Sequence, residues 1–191
     1  MSAPERQSTF TRFPPVRHPR RVRAGALVVA ALIVALVVGS VVLFIEPATN
    51  VPARSNAVIV LAGGNNGARI AKGISLVRAG YAPRLFVSAP GHRDCPRSLP
   101  SVSITCFNPN PSTTQGEARY ASALADRHHW RQIIVVSGTQ QVTRARIRFD
   151  RCYQGSILMV PADPGGVANW VYGVVYEWGA LAKALVLQRG C

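Results

Sequence analysis

Two hydrophobic patterns divide the chain. From Ala24 to Ile45 runs AGALVVAALIVALVVGSVVLFI, 22 residues without a charge. At 1.5 Å per residue such a helix is about 33 Å long, enough to cross a bilayer core. After residue 56 the pattern changes to short apolar runs alternating with helical periodicity. Ala57–Ala62 (AVIVLA) reads as a strand buried on both faces. The turn Gly63-Gly64-Asn65-Asn66-Gly67 follows, then a helix with Ile70, Ala71, Ile74 and Val77 on one face, ending at Gly80 with Pro83 beyond. Arg84–Ala89 is a second strand, and residues 90–113 read as a long irregular stretch. A helix opens at Thr114 and runs to about Asp126. Gln132–Ser137 is a third strand, a helix spans about 140–150, and Ser156–Val160 is a fourth strand. After the turn at Asp163-Pro164-Gly165-Gly166, a last helix over about 168–188 carries Val171, Val174, Val175, Trp178, Leu181, Ala182 and Leu185 on a wide apolar stripe.

Alternating strands and helices predict an α/β domain, a parallel sheet with helices on both faces, preceded by one transmembrane helix. The organisation is a basic arm over 1–23, a span over 24–45, a linker over 46–56 and a domain over 57–191. Ligands in such sheets sit beyond the C-terminal strand ends. That rule nominates the loops after Ala62, Ser88, Ser137 and Val160.

Charge orients the chain. The net charge is +14, and Arg6, Arg12, Arg17, Arg20, Arg21 and Arg23 precede the span against a single Glu5. The positive-inside rule places 1–23 in the cytoplasm, read as disordered, and 46–191 outside, as a single-pass protein of the cell membrane. A cleaved signal is the rival reading, with Val51-Pro52-Ala53 as a poor site, but the apolar run exceeds a signal's h-region. The composition, 48% hydrophobic and 16% charged, excludes a wholly disordered chain, and a single span excludes a polytopic transporter. Cys95, Cys106, Cys152 and Cys191 all follow the span, and an even count in an oxidising compartment implies disulfides. Three pairings are open, with Cys95–Cys106 attractive because both lie in one loop. No metal site is nominated, since C-x-x-C is missing and no His stands at ligand spacing.

Among candidate chemistries, the Gly63-Gly64 turn balances an anion cradle against a plain tight turn. Its spacing is not G-x-G-x-x-G, and an acidic ribose ligand is missing after Ser88, so no nicotinamide cofactor is nominated. Thr114 and Glu117 have capping-box spacing, and spacing alone favours the cap. Arg144, Arg148 and Arg151 share a helix face whose default is a solvated surface, although Arg144 and Arg69 stand near enough to a strand end to meet an anion. The outer region carries 16 basic and 7 acidic residues. Outside a cell that balance suits phospholipid headgroups, teichoic-type polymers or phosphorylated precursors rather than nucleic acid. Without G-x-S-x-G, and with His92, His128 and His129 as the outer histidines, a serine hydrolase has little support. Glu177 is by default a surface position.

The order of AVIVLAGG (57–64), Arg69, RAGYAPRLFVSA (78–89), TTQGEAR (113–119), IIVVSGTQQVTRAR (133–146) and Glu177 within YEWGALAKAL resembles the YdcF-type family, which includes SanA-like and ElyC-like envelope proteins. The resemblance covers most of residues 57–187. It implies a Rossmann-like fold and a polar site at the strand ends. It also implies a role in envelope or peptidoglycan-related processes; joined to the basic outer charge, this makes an anionic cell-wall precursor or lipid-linked polymer the expected ligand. The resemblance places Gly63, Gly64, Arg69, Ser88, Ser137, Thr139 and Glu177 in or near that polar site as ligand-binding residues, and Asn65 of the glycine turn is a further ligand-binding candidate. Glu117 becomes the residue that orients the ligand or acts as acid and base, with Arg69 and Arg144 holding the ligand's charge, and Glu117 and Arg144 are the candidate catalytic residues. Two departures stand out. Gln140-Gln141 occupies the place of a Tyr-His common in relatives, and Ser88-Ala89-Pro90 that of Ser-Gly-Gly. Gln hydrogen-bonds but does not shuttle protons near neutrality, which leaves a non-catalytic interaction module as the alternative function.

Overall fold

The computed structural model describes residues 19–64, 66–92, 95–96, 100, 102–162 and 165–191. Candidate Asn65, together with Asp94, Asp163 and the arm to residue 18, lies outside the described residues. The chain divides into two compact units, 1–37 and 38–191.

In the first unit the described residues form helix α1 (Pro19–Ser40), which runs on into the second. A π-helical turn, Val41–Ile45, extends it, and Arg23–Ile45 is long and apolar enough to cross a membrane.

The second unit is an α/β domain. Its elements are β1 (Ala57–Val60), α2 (Asn66–Arg78), β2 (Arg84–Ser88), β3 (Ser103–Phe107), α3 (Thr114–His128), β4 (Gln132–Gly138), α4 (Val142–Cys152), β5 (Ser156–Ala162) and α5 (Val167–Val186). The described residues form one five-stranded, all-parallel sheet in the order β3-β2-β1-β4-β5. Strands β1 and β4 are apolar and β-branched because helices cover both of their faces. Val58, Val60, Ile134 and Val136 meet Leu76 and Val77 of α2 on one side. Ile59, Ile133 and Val135 meet Ala118 and Ala121 of α3 and Ala145 and Phe149 of α4 on the other. The chain steps outward from β1 through β2 to β3, then returns to lay β4 on the opposite side of β1. The Rossmann-like switch point therefore falls between β1 and β4.

Strand β3 corrects the reading of 90–113 as wholly irregular. Ser103 and Thr105 are exposed, Ile104 and Cys106 half-buried and Phe107 buried, so this edge strand lacks the continuous apolar run that marks the central ones. Phe107 stacks on Tyr120 of α3 with ring centroids 3.9 Å apart. The disulfides are Cys95–Cys106 and Cys152–Cys191.

The 46–56 segment is stitched to the domain rather than free. Asn50 N–H donates to Met159 O (2.9 Å), and its Oδ1 accepts from Met159 N–H (2.9 Å) and Arg146 Nη2 (2.7 Å). This pairs the segment with edge strand β5. Asn56 Oδ1 accepts from the N–H groups of Arg131 and Gln132 at the start of β4.

Candidate functional site

The loops after β1 and β4 diverge at the switch point and open a cavity of about 680 Å3, bordered by α3, α4 and α5. Six polar side chains line it in one network, Arg69 from α2, Thr114 and Glu117 from α3, Gln141 from the turn before α4, Arg144 from α4 and Glu177 from α5.

Glu117 is in the first turn of α3 and 2% exposed. The expected capping box is displaced by one residue. Thr113, in extended conformation, is the N-cap and accepts from Gly116 N–H, so Glu117 is released from capping. Its Oε1 accepts from Ala62 N–H at 2.7 Å, and the Ser88 hydroxyl lies against the same carboxyl. Burial raises its pKa above the ordinary carboxylate value, against the opposing pull of Ser88, Ala62 N–H, Arg69 and Arg144. A carboxyl so placed suits proton transfer.

Arg69 reaches back from α2 to the end of β1. Its Nη1 donates to Ala62 O (2.7 Å), Leu61 O (3.3 Å) and Gln141 Oε1 (2.9 Å). Burial lowers its pKa, and Glu117 and Glu177 partly restore it. Gly63 and Gly138 exist to admit this guanidinium. A Cβ on either would stand 2.5 Å from a guanidinium nitrogen, and Gly63 also has φ +146°. The glycine turn thus houses an arginine, and the Ala62 N–H just before it is given to Glu117.

Gln141, just before α4, carries the network onward. Its Nε2 donates to Thr114 Oγ1 (3.0 Å), which also accepts from Arg144 Nη1 (2.8 Å). Arg144 forms a two-pronged ion pair with Glu177 of α5, Nε to Oε2 and Nη2 to Oε1, both 2.7 Å. Burial opposes the Arg144 charge, but Glu177 outweighs it and the pKa rises. Glu177 is 4% exposed, which replaces its default surface placement.

The remaining candidates separate. Gly63, Gly64, Arg69, Glu117, Arg144 and Glu177 line the cavity, whereas Ser88, Ser137 and Thr139 do not. Ser137 is fully buried with its hydroxyl unbonded among the described residues, and Thr139 donates to Ala162 O, tying β4 to β5. Residues that local pattern did not single out as binding groups also line it, namely Thr114, Gln140, Gln141, Tyr172, Tyr176 and Lys183. For Tyr172 and Tyr176 the available signal was their i, i+4 spacing on the helix that carries Glu177.

The arginine face of α4 is not solvated as expected. Arg148 is 3% exposed and donates to the Gln188 carbonyl and side chain, while Arg151 Nη1 donates to Ala184 O and Gln188 O, both 2.9 Å. These side chains satisfy the carbonyls left open at the end of α5.

Comparison of the chain and its fold with protein families, curated proteins and solved structures finds no match.

Proposed function

We propose that this is a single-pass envelope protein whose outer, YdcF-like domain binds an anionic ligand, a phosphorylated cell-wall precursor or lipid-linked polymer, in the strand-end cavity. The observation that carries the reading is the charge of the cavity wall. Four cations, Arg69, Arg144, Arg148 and Lys183, face two carboxylates, Glu117 and Glu177, and burial favours the neutral form of Glu117. An anion entering this wall restores balance without disturbing the Arg144–Glu177 pair. In this reading Arg144 and Lys183 hold the charge and Glu117 orients the ligand or exchanges a proton with it. The outward placement of the domain is supported by two disulfides after the span and by the arginines before it.

Binding without turnover is the second reading, and Gln141 is the observation that favours it. An amide, which exchanges no proton, bridges Arg69 to Thr114 at the centre of the network.

Calorimetric titration of the full chain in nanodiscs with inorganic pyrophosphate and with a nucleotide-linked amino sugar tests binding. Wild-type protein is expected to bind, and Arg144→Lys, which keeps the charge but loses the fork, to bind about tenfold or more weakly. No heat from either probe, or equal affinity in a folded Arg144→Lys variant, would overturn the proposal. Turnover of the bound probe, lost in Glu117→Gln, would decide between the two readings.

A further inference from the structure

Helix α5 bears the Glu177 side of the cavity, yet much of its surface covers nothing in the domain. Val171 is 62% exposed, Val175 70% and Val186 61%, and Gly179 and Ala182 between them are exposed as well. At about 100° per residue these five positions fall within roughly one quadrant, a stripe without a polar side chain. A water-facing helix of a globular domain carries charges there.

What covers the stripe follows from the neighbour of α5. Trp178 packs edge-to-face on Phe44 with ring centroids 5.3 Å apart, and its Nε1 donates to Ser40 Oγ at 2.9 Å. Ser40 and Phe44 belong to the apolar run that ends at Ile45. Ser40 lies five residues before that end, about 7 Å along a helix axis. A helix fastened there sits at the depth of an interfacial amphipathic helix, which buries its apolar face by about 5–10 Å.

The order of side chains around α5 agrees. Trp178 touches the run, and the apolar stripe comes next. Tyr172, Lys183 and Tyr176 follow, and the buried Glu177 faces the cavity beyond them. The Tyr172 and Tyr176 rings stack 6.3 Å apart. Tyr and Lys between an apolar face and a polar one are the side chains that settle at headgroup level.

We propose that α5 is a second membrane contact. It lies in the interfacial layer of the leaflet where the span ends, with Val171, Val175, Gly179, Ala182 and Val186 against acyl chains and Tyr172, Tyr176 and Lys183 among the headgroups. The cavity then opens at the lipid surface. This inference rests on the span being seated in a bilayer, as proposed above, and not on the identity of the cavity's ligand.

Spin labelling of the full chain in liposomes containing phosphatidylglycerol tests it. A nitroxide is placed on cysteines introduced singly as Val171→Cys, Val175→Cys and Ala182→Cys, without reductant so that the disulfides persist. Lys72→Cys, on the exposed side of α2, serves as the water reference, and Val34→Cys, within α1, as the lipid reference. Folding of each variant is checked by circular dichroism. The three α5 labels are expected to match Val34→Cys, colliding with oxygen more than with a water-soluble nickel chelate, while Lys72→Cys shows the reverse. Water-like labels on α5 beside a lipid-like Val34→Cys would overturn the α5 inference and leave the anchor standing. A water-like Val34→Cys would overturn both. Spin–spin broadening at Val175→Cys that disappears on dilution with unlabelled protein would mean that a second copy covers the stripe, and would also overturn it.

Discussion

Glu117 is a carboxyl held where burial opposes its charge, so it stores a pH dependence. Its folded pKa lies above its unfolded value of about 4.5. A group shifted upward contributes stability below its unfolded pKa and loses that contribution as pH rises through the folded one. Glu117→Gln, which keeps an acceptor for Ala62 N–H, is therefore expected to unfold at a higher temperature than wild type at pH 8. The gap should close as pH falls toward 4.5. Thermal unfolding at several pH values checks this, and a gap that widens on acidification would contradict the burial account. The same logic explains why the helix signal at 113–117 divides between two residues. Thr113 takes the cap, and the carboxylate goes to the site. The spacing of Thr114 and Glu117 was legible, but adjacent Thr113 and Thr114 offer two cap registers that local chemistry does not distinguish. Gln141 stood out in sequence only as half of the Gln pair in the place of Tyr-His; its two partners, 72 and 27 residues away, leave no local signal.

At the scale of elements, α4 serves two purposes along one face. Arg144 at its start belongs to the cavity, and Arg148 and Arg151 further along clasp the end of α5. The Cys152–Cys191 bridge closes the same contact across 39 residues, and Gln115 and Arg119 of α3 donate to the Cys191 carbonyl. In the chain-entropy account a loop of that size contributes about 4 kcal/mol. A Cys152→Ala/Cys191→Ala variant is expected to lose stability of that order in denaturant titration. A loss below about 1 kcal/mol would mean that the arginine clasp alone holds the tail. The arginine periodicity was visible in sequence, and its burial was not, because a basic helix face and a set of helix-end donors have the same pattern. The central strands were legible for the opposite reason, since full burial on both faces requires unbroken apolar runs. Strand β3, at the edge, is under no such requirement.

For the whole molecule, the strand-end rule nominated the loops after Ala62 and Ser137, and the cavity opens beside both. It does so because a switch point forces β1 and β4 together whatever the side chains around them. The rule carries no information on depth. Ser88, Ser137 and Thr139 sit at or just past strand ends but do not line the cavity, and Ser88 lies against the Glu117 carboxyl. The proposed orientation has its own test. Protease added to intact cells without an outer barrier is expected to remove the 46–191 region and spare a tag at the N-terminus; removal of the tag alone would reverse the topology.

Asn50 and Asn56 have one last consequence. They fasten residues 46–56 to β5 and to the start of β4, so the folding unit begins before the first strand. A fragment cut at Ala57 would uncover the outer edge of β5 and leave Met159 without its backbone partner.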